Sequence, residues 1–244
     1  MNNESLFETL KSSNNIVFFG GAGMSTESGI ADFRSNNGLY KTSAGYAYPP
    51  ETMLSHSFFI SHTDEFFNFY KEKMIFPEAR PNKGHIALAK LEEMGILKAI
   101  ITQNIDGLHQ LSGSKEVFEL HGSVHRNFCT KCHKFYDLDY IISSESIPYC
   151  SQCGNIVKPD VVLYEEALND EIVSSAVNAI QKAEVLIIGG TSLVVYPAAG
   201  LVEYFRGKKL VLINKSSTPY DSKADIVIHA SIGNILEDAV NNLF

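Results

Sequence analysis

The 244-residue sequence has no apolar run near the roughly 18 residues that a bilayer-spanning helix needs, so it predicts no membrane segment. Its opening, Met1-Asn2-Asn3-Glu4-Ser5-Leu6, lacks a basic stretch followed by an apolar one, so no secretory leader and a cytoplasmic location are expected. Positive charge is also short, with 20 Lys and Arg against 28 Asp and Glu and a formal net charge of -8. That balance argues against general nucleic-acid binding, which depends on neutralising phosphates, and mildly favours basic, lysine-rich protein segments as partners. Internal repeats, low-complexity tracts and long linkers are missing. Cysteine is scarce and confined: the chain has four, all between Cys129 and Cys153. In a reducing compartment that pattern implies metal binding and excludes a disulfide framework.

What is present is a globular composition, 45% hydrophobic and 20% charged. Short aliphatic runs at 15–19, 97–101, 184–188, 209–213 and 226–228 have the character of buried parallel strands. Between them the spacing predicts helices over 58–73, 84–94, 170–181 and 232–241, and Pro197 suits the first turn of a further helix. Strands alternating with helices predict an α/β fold with a doubly wound, Rossmann-like parallel sheet. Two segments interrupt the alternation. Residues 124–159 are polar and cysteine-bearing, and residues 39–81 are rich in aromatics and suit a helical cap or lid. The expected organisation is therefore a nucleotide-type domain made of residues 1–38, 82–123 and 160–244, with a small domain built from the two insertions.

Four motifs carry chemistry. The first is Gly20-Gly21-Ala22-Gly23-Met24-Ser25-Thr26-Glu27-Ser28-Gly29, directly after the first strand. Glycines at a strand-to-helix turn let the backbone approach a pyrophosphate, whose charge the helix N-terminus stabilises, although a tight structural turn has the same appearance. No acidic residue ends the second strand as a ribose partner, and Asn214 at the end of a later strand is the candidate for that position. The second motif is Cys129-Thr130-Lys131-Cys132 with Cys150-Ser151-Gln152-Cys153, two C-x-x-C knuckles that form a zinc ribbon. A closed four-thiolate shell makes this zinc structural; a redox pair, or His133 in place of one ligand, are the alternatives. The third is Thr102-Gln103-Asn104-Ile105-Asp106-Gly107 at a strand's C-terminal edge, where such folds place ligand sites but where capped turns are also common. The fourth is His121-Gly122, a histidine at a strand end that suits either a general base or a structural hydrogen bond.

Together, in this order and across residues 15–239, these motifs resemble the sirtuin family. The family's opening signature is similar to Gly21-Ala22-Gly23-Met24-Ser25 through Ser28-Gly29-Ile30-Ala31-Asp32-Phe33-Arg34, and Gly190-Thr191-Ser192 and Asn214 follow in family order. The resemblance implies an NAD-dependent protein-lysine deacetylase, a transferase that moves the acyl group of an acylated-lysine protein or peptide to ADP-ribose and releases nicotinamide. It implies two cofactors, NAD and zinc, with no nucleic-acid or membrane partner. Residue by residue, it implies His121, Asn104 and Asp106 as catalytic. It places Ala22, Thr26, Phe33, Arg34, Gln103, Ile105, Asp106, His121, Thr191, Ser192, Asn214 and Ile232 against NAD, and Cys129, Cys132, Cys150 and Cys153 on the metal. Within that frame residues 39–81 belong to the cofactor-loop side of the small domain and 124–159 to its zinc ribbon.

The chain departs from the family in three places. Ala31 replaces the usual proline, Tyr164-Glu165-Glu166 stands for a Phe-Gly-Glu stretch where substrate peptide adds as a strand, and Lys158 precedes Pro159 where arginine or asparagine is common. Members that remove acidic acyl groups resemble one another in a Tyr and an Arg three residues apart; here Tyr70 is followed by Lys73, which is equally compatible with an ordinary amphipathic helix. Two rival readings remain at this point: an ADP-ribosyltransferase on the same fold and a non-catalytic zinc-ribbon adaptor.

Overall fold

The structure, a computed structural model, describes residues 2–35, 38–43 and 45–243; the expected domain limits at residues 1 and 244 fall outside it. Six strands form one parallel sheet: β1 (Ile16–Gly20), β2 (Leu97–Thr102), β3 (Val117–Glu119), β7 (Val185–Gly189), β8 (Lys209–Ile213) and β9 (Ile226–Ile228). Three more, β4 (Gly122–Cys129), β5 (Phe135–Tyr136) and β6 (Val157–Val161), form a separate antiparallel sheet. The order in the large sheet is β3-β2-β1-β7-β8-β9, so the chain builds outward from β1 in one direction, then returns beside β1 and builds outward in the other. Such a reversal leaves a crevice at the C-terminal ends of the two central strands, the general ligand position of doubly wound sheets.

Strand β1 shows why this sheet is covered on both faces. Successive side chains of a strand point to opposite sides. Ile16 and Phe18 pack with Leu88 and Leu91 of the helix Lys83–Glu93 and with Leu236 and Val240 of the helix Ile232–Asn241. Val17 and Phe19 pack with Ala176 and Ile180 of the helix Asp170–Lys182. All five residues of the strand are buried, which makes it read as a continuous apolar run instead of an alternation.

The small domain has its own core. Phe58, Phe59, Phe66, Phe67, Phe69 and Tyr70 join Val124, Tyr136, Ile141, Val157 and Val161 in one buried cluster, so the aromatic insertion and the cysteine-bearing insertion fold against each other. The single helix expected over 58–73 is two, His56–Ser61 and Thr63–Lys73, separated at His62. Ser61 and Thr63 donate their hydroxyls to the carbonyls of Ser57 and Phe59, the local back-bonding that competes with a continuous helix. Pro197 precedes a 3₁₀ stretch, Ala198–Tyr204, and does not start an α-helix.

The four cysteines close the far end of the antiparallel sheet. Their sulfurs all lie within 4.8 Å of one another, with Cys129–Cys153 at 3.4 Å, Cys132–Cys150 at 3.6 Å and Cys132–Cys153 at 3.6 Å. Four thiolates on a tetrahedral zinc at about 2.3 Å stand roughly 3.8 Å apart, so the donor set and its spacing fit the ion. Backbone N–H groups of Lys131 and Gln152 point at the Cys129 and Cys150 sulfurs, as expected of thiolates held in turns. All four ligands come from the protein, which leaves no position for substrate, and the group contains no histidine. One zinc per chain is expected on elemental analysis of natively purified protein. Cys129→Ser should bring the stoichiometry well below one and open the antiparallel sheet to protease while the parallel sheet resists. A zinc-free wild-type protein of full activity would refute this role.

Two buried histidines set a second expectation. His85 and His109 meet edge to face with ring centroids 4.7 Å apart, and neither His109 nitrogen has a hydrogen-bond partner among the described residues. Burial pushes His85 down to about 4, and burial plus the His85 imidazole pushes His109 down to about 3. Both therefore stay neutral in the folded chain while the unfolded chain titrates near 6.5. Below pH 6.5 the unfolded state binds more protons, so this contribution is complete above that pH and is lost as pH falls toward 4. Each histidine adds a slope of up to about 1.4 kcal/mol per pH unit. Urea midpoints measured from pH 7.5 to pH 5 should fall steadily, and His109→Gln should flatten the dependence. A midpoint constant over that range would contradict the pair's burial.

Candidate active site

The crevice between β1 and β7 is lined by two glycine turns in backbone contact. Gly23 N–H donates to Gly190 O at 2.8 Å, and Gly21 N–H to Gly189 O at 3.4 Å. A Cβ on Gly23 would lie 2.8 Å from Gly190 Cα, and one on Gly190, whose φ is +60°, would lie 2.4 Å from Met24 N. The expected helix after β1 is absent. The chain makes two three-residue 3₁₀ turns, Ala22–Met24 and Thr26–Ser28, because the packing of one glycine turn on the other holds it at the crevice. The Thr26 hydroxyl donates back to Gly23 O, and Ala22 is half-buried on the turn.

The polar residues that follow β2 bond directly to this turn. Gln103 Nε2 donates to Thr191 Oγ1 at 3.1 Å and reaches Gly20 O at 3.4 Å. Asn104 Nδ2 donates to Ser25 Oγ at 3.0 Å, and Ser25 Oγ donates to Asp106 Oδ2 at 2.6 Å. The other Asp106 oxygen accepts from Leu108 N at 2.9 Å, which fixes the carboxylate. Ser25, with none of its surface exposed, is the hub of this network. In the sequence Ser25 is one letter of the glycine signature, and a lone hydroxyl among glycines carries no periodic or spacing signal.

His121 stands where the chain leaves the parallel sheet and enters the antiparallel one, between β3 and β4. Its Nδ1 lies 2.9 Å from Gln103 O. A carbonyl oxygen only accepts, so Nδ1 carries the proton and Nε2 keeps its lone pair. Burial pushes the imidazole below its ordinary 6.5, partly opposed by that bond, so the ring is neutral at pH 7. Its carbonyl accepts from Val162 N at 3.0 Å, and the next residue, Gly122, has φ +75° and lies so close to Asp160 that a Cβ would overlap Asp160 O at 1.9 Å.

Two hydrogen-bonded groups thus meet at the consecutive residues Gln103 and Asn104: Ser25 with Asn104 and Asp106, and Gln103 with Thr191 and His121, with Ile105 packed beside them on the small-domain core. Ser192 is half-buried beside Thr191. Others of the sequence set stand apart from the network. Phe33 and Arg34 lie on the loop before the small domain, Phe33 6.2 Å from the Tyr40 ring and Arg34 over the same ring at 5.4 Å. Asn214 directly follows β8, with its side chain turned to Ser216 O at 2.7 Å. Ile232 is buried in the core, seated against Gly189.

Two of the three departures also have local accounts. Tyr164 bridges Ser55 in parallel through Tyr164 N to Leu54 O and His56 N to Tyr164 O, both 3.0 Å. Glu165 has φ +77°, a region glycine enters freely, and its carboxylate accepts from Ser57 N at 2.9 Å and Ser57 Oγ at 3.0 Å. Lys158 donates to Glu166 Oε2 at 3.1 Å, so the unusual lysine braces the conserved-type glutamate position from behind. Ala31 is exposed, and nothing in the structure explains it.

Comparison with known proteins agrees with this geometry. The sequence model described as "Sir2 family" matches residues 21–197. The "NAD-dependent protein deacetylase" of Clostridium acetobutylicum is 66% identical over 93% of this chain and 94% of its own, and that of Clostridium perfringens is 65% identical over 97% of each. A solved Sir2 histidine variant with a deacetylated p53 peptide and 3'-O-acetyl ADP-ribose superposes with a TM-score of 0.90 at 38% identity, covering 99% of this chain and 98% of that one. With the crevice, the polar network and the four-cysteine ribbon in place, the chain belongs to the Sir2 family, the sirtuins.

Proposed function

We propose that the protein is an NAD-dependent protein-lysine deacetylase in which His121 is the general base. The observation that carries the reading is the neutral His121, its Nδ1 proton committed to Gln103 O and its Nε2 lone pair available, one hydrogen bond from the Gln103–Thr191 link across the crevice. The glycine turns supply a backbone floor of the kind a pyrophosphate approaches, and Asn104 and Asp106 supply amide and carboxylate groups for the nicotinamide carboxamide and a water. NAD is consumed: the acyl-amide oxygen bonds to the ribose carbon, and nicotinamide leaves with the bonding pair. His121 then takes the proton of a ribose hydroxyl, whose oxygen bonds to the acyl carbon; the bond from that carbon to the lysine nitrogen breaks, the amine leaves with a proton, and a water supplies the oxygen that leaves the acyl group as an ester on the sugar. An amide oxygen is a poor nucleophile, so the site must act by holding it against that carbon and away from water. Ala22, Thr26, Phe33, Arg34, Ser192, Asn214 and Ile232 complete the proposed NAD surroundings. Acylated-lysine peptides would lie along Tyr164-Glu165-Glu166.

His121→Ala should lower deacylation by about 10²–10⁴-fold while NAD binding persists. In the wild type, kcat/KM should fall on acidification with its inflection below pH 6.5, because burial lowers this histidine. The assay incubates an acetyl-lysine peptide with and without NAD and follows free nicotinamide and acyl-ADP-ribose by mass spectrometry. Wild-type turnover in the variant, or ADP-ribose on protein as the main product, would overturn the reading.

The acyl group should be neutral. Tyr70 is wholly buried with its hydroxyl unpartnered among the described residues, and Lys73 Nζ is 2.9 Å from Glu72 Oε1, with Tyr46 OH donating to the other Glu72 oxygen. Lysine lacks the planar fork that holds a carboxylate bidentately, and here its charge already has a partner. Acetyl or butyryl peptides should exceed a matched succinyl peptide in kcat/KM by at least about tenfold, which needs about 1.4 kcal/mol. Equal rates on the succinyl peptide would show Lys73 serving as an arginine.

A further inference from the structure

Between Ser123 and Asn127 the pairing of β4 with β6 slips, and residues 124–126 form a bulge at the junction of the two sheets. Two of the three bulge residues reach the candidate site, and the third does not. Val124 N donates to Ile105 O at 3.0 Å, His125 Nε2 lies 3.1 Å from Asp106 O, and Arg126 points to the other side. Arg126 Nη1 donates to Glu119 Oε2 at 2.6 Å and Arg126 Nε to Asp160 Oδ2 at 2.8 Å. Glu119 is the last residue of β3, paired with Thr102 in the parallel sheet, and only 7% of its surface is exposed. Asp160 belongs to β6 of the antiparallel sheet, where it pairs with Ser123. The guanidinium therefore ties one sheet to the other across the two residues at which the chain crosses, Leu120 and His121.

We propose that Arg126 is a positioning residue for His121: by holding Glu119 and Asp160 together, it sets the angle at which the chain crosses between sheets and so the place of the His121 ring. Gly122 makes the crossing tight by resting on the Asp160 backbone, and the Val162 N–H to His121 O bond anchors the same point to β6. These two contacts fix His121 to the antiparallel sheet, while His121 Nδ1 to Gln103 O fixes it to the parallel one. Among the described residues, only the Arg126 pair of bonds fixes the two sheets to each other through side-chain charge at this point. Arginine suits the task because its planar head offers donors in two directions at once, where a lysine offers a single point. Removing it leaves the Glu119 carboxylate buried without its cation, and the strand end that carries His121 must shift to reach water.

The inference rests on the reading of His121 as base, and a double-mutant cycle separates the two. R126Q, H121A and the double variant are assayed for acyl transfer and for exchange of labelled nicotinamide into NAD, a step that needs no base. Zinc content and melting temperature are followed as checks on folding. R126Q should lower acyl transfer by about 10- to 100-fold, the scale of a misplaced catalytic group, while nicotinamide exchange and both KM values change by less than about threefold. In the H121A background R126Q should have almost no further effect on the residual rate, because coupled residues are not additive. R126K, which keeps the charge but not the two-way reach, should fall between wild type and R126Q. Equal losses in exchange and acyl transfer, or a full R126Q effect in the H121A background, would overturn the positioning role. An H121A enzyme with wild-type turnover would instead overturn the base assignment. Should R126Q fold poorly, E119Q, which keeps an acceptor for the guanidinium, replaces it; the expected pattern is the same and smaller.

Discussion

The close approach of Gly23 to Gly190 is the constraint from which the rest of the site takes its place. It extends the contact between β1 and β7 past the ends of the strands, at 2.8 Å from Gly23 N to Gly190 O, with no side chain between. The crevice at the switch point consequently has a floor of backbone, and the first polar side chains that follow on each turn, Ser25 after the core residue Met24 and Thr191 after Gly190, stand at its edges. Thr191 Oγ1 then receives Gln103, and Ser25 receives Asn104. A methyl group at either glycine would meet backbone atoms, which cannot turn aside as a flexible side chain does. Glycine here serves the mutual packing of two turns as well as any approach by a phosphate.

From that floor the polar network is forced to be specific. Ser25 is fully buried and Asn104 is 9% exposed, so their polar atoms must find partners within the protein. They find each other and Asp106, and each bond fixes the geometry of the next. A half-satisfied network would cost more than an apolar one, so the arrangement tolerates few alternatives. His121 is attached to the neighbouring residue of the same loop through Gln103 O, yet its backbone belongs to the passage into the antiparallel sheet. The site therefore senses the relative placement of the two sheets, and the bulge at 124–126 is where that placement is set.

Legibility in the sequence followed locality. The five apolar runs read as strands because a strand buried on both faces has no polar alternation to obscure it; 209–213 and 226–228 agree with the structure to the residue, 97–101 ends one residue early, and 15–19 and 184–188 lie one residue too early at both ends. The cysteine ribbon was legible because its ligands lie in two knuckles with fixed spacing. The helix Asn2–Lys11 was not read, since it is short and mostly polar and depends on Leu6 and Leu10 meeting the sheet core. The 3₁₀ turns after β1 were read as a helix because their cause, the second glycine turn, lies about 170 residues further along the chain. Ser25 and Arg126 escaped for the same reason: each acts through partners that only the fold brings near. The Arg126 carboxylates are Glu119 on one strand and Asp160 on another.

The glutamate at position 165 shows how a departure from a family pattern is absorbed. A non-glycine residue in the left-handed region costs roughly 1–2 kcal/mol. The Glu165 carboxylate offsets this by accepting from Ser57 N and Ser57 Oγ in the first turn of the helix His56–Ser61, where negative charge is favoured. Glu166, one residue on, is tied to Lys158 and His56, so consecutive side chains fasten this segment to both neighbouring elements. Both carboxylates thereby have partners within the protein, and the segment gains rigidity while the Tyr164 ring stays exposed.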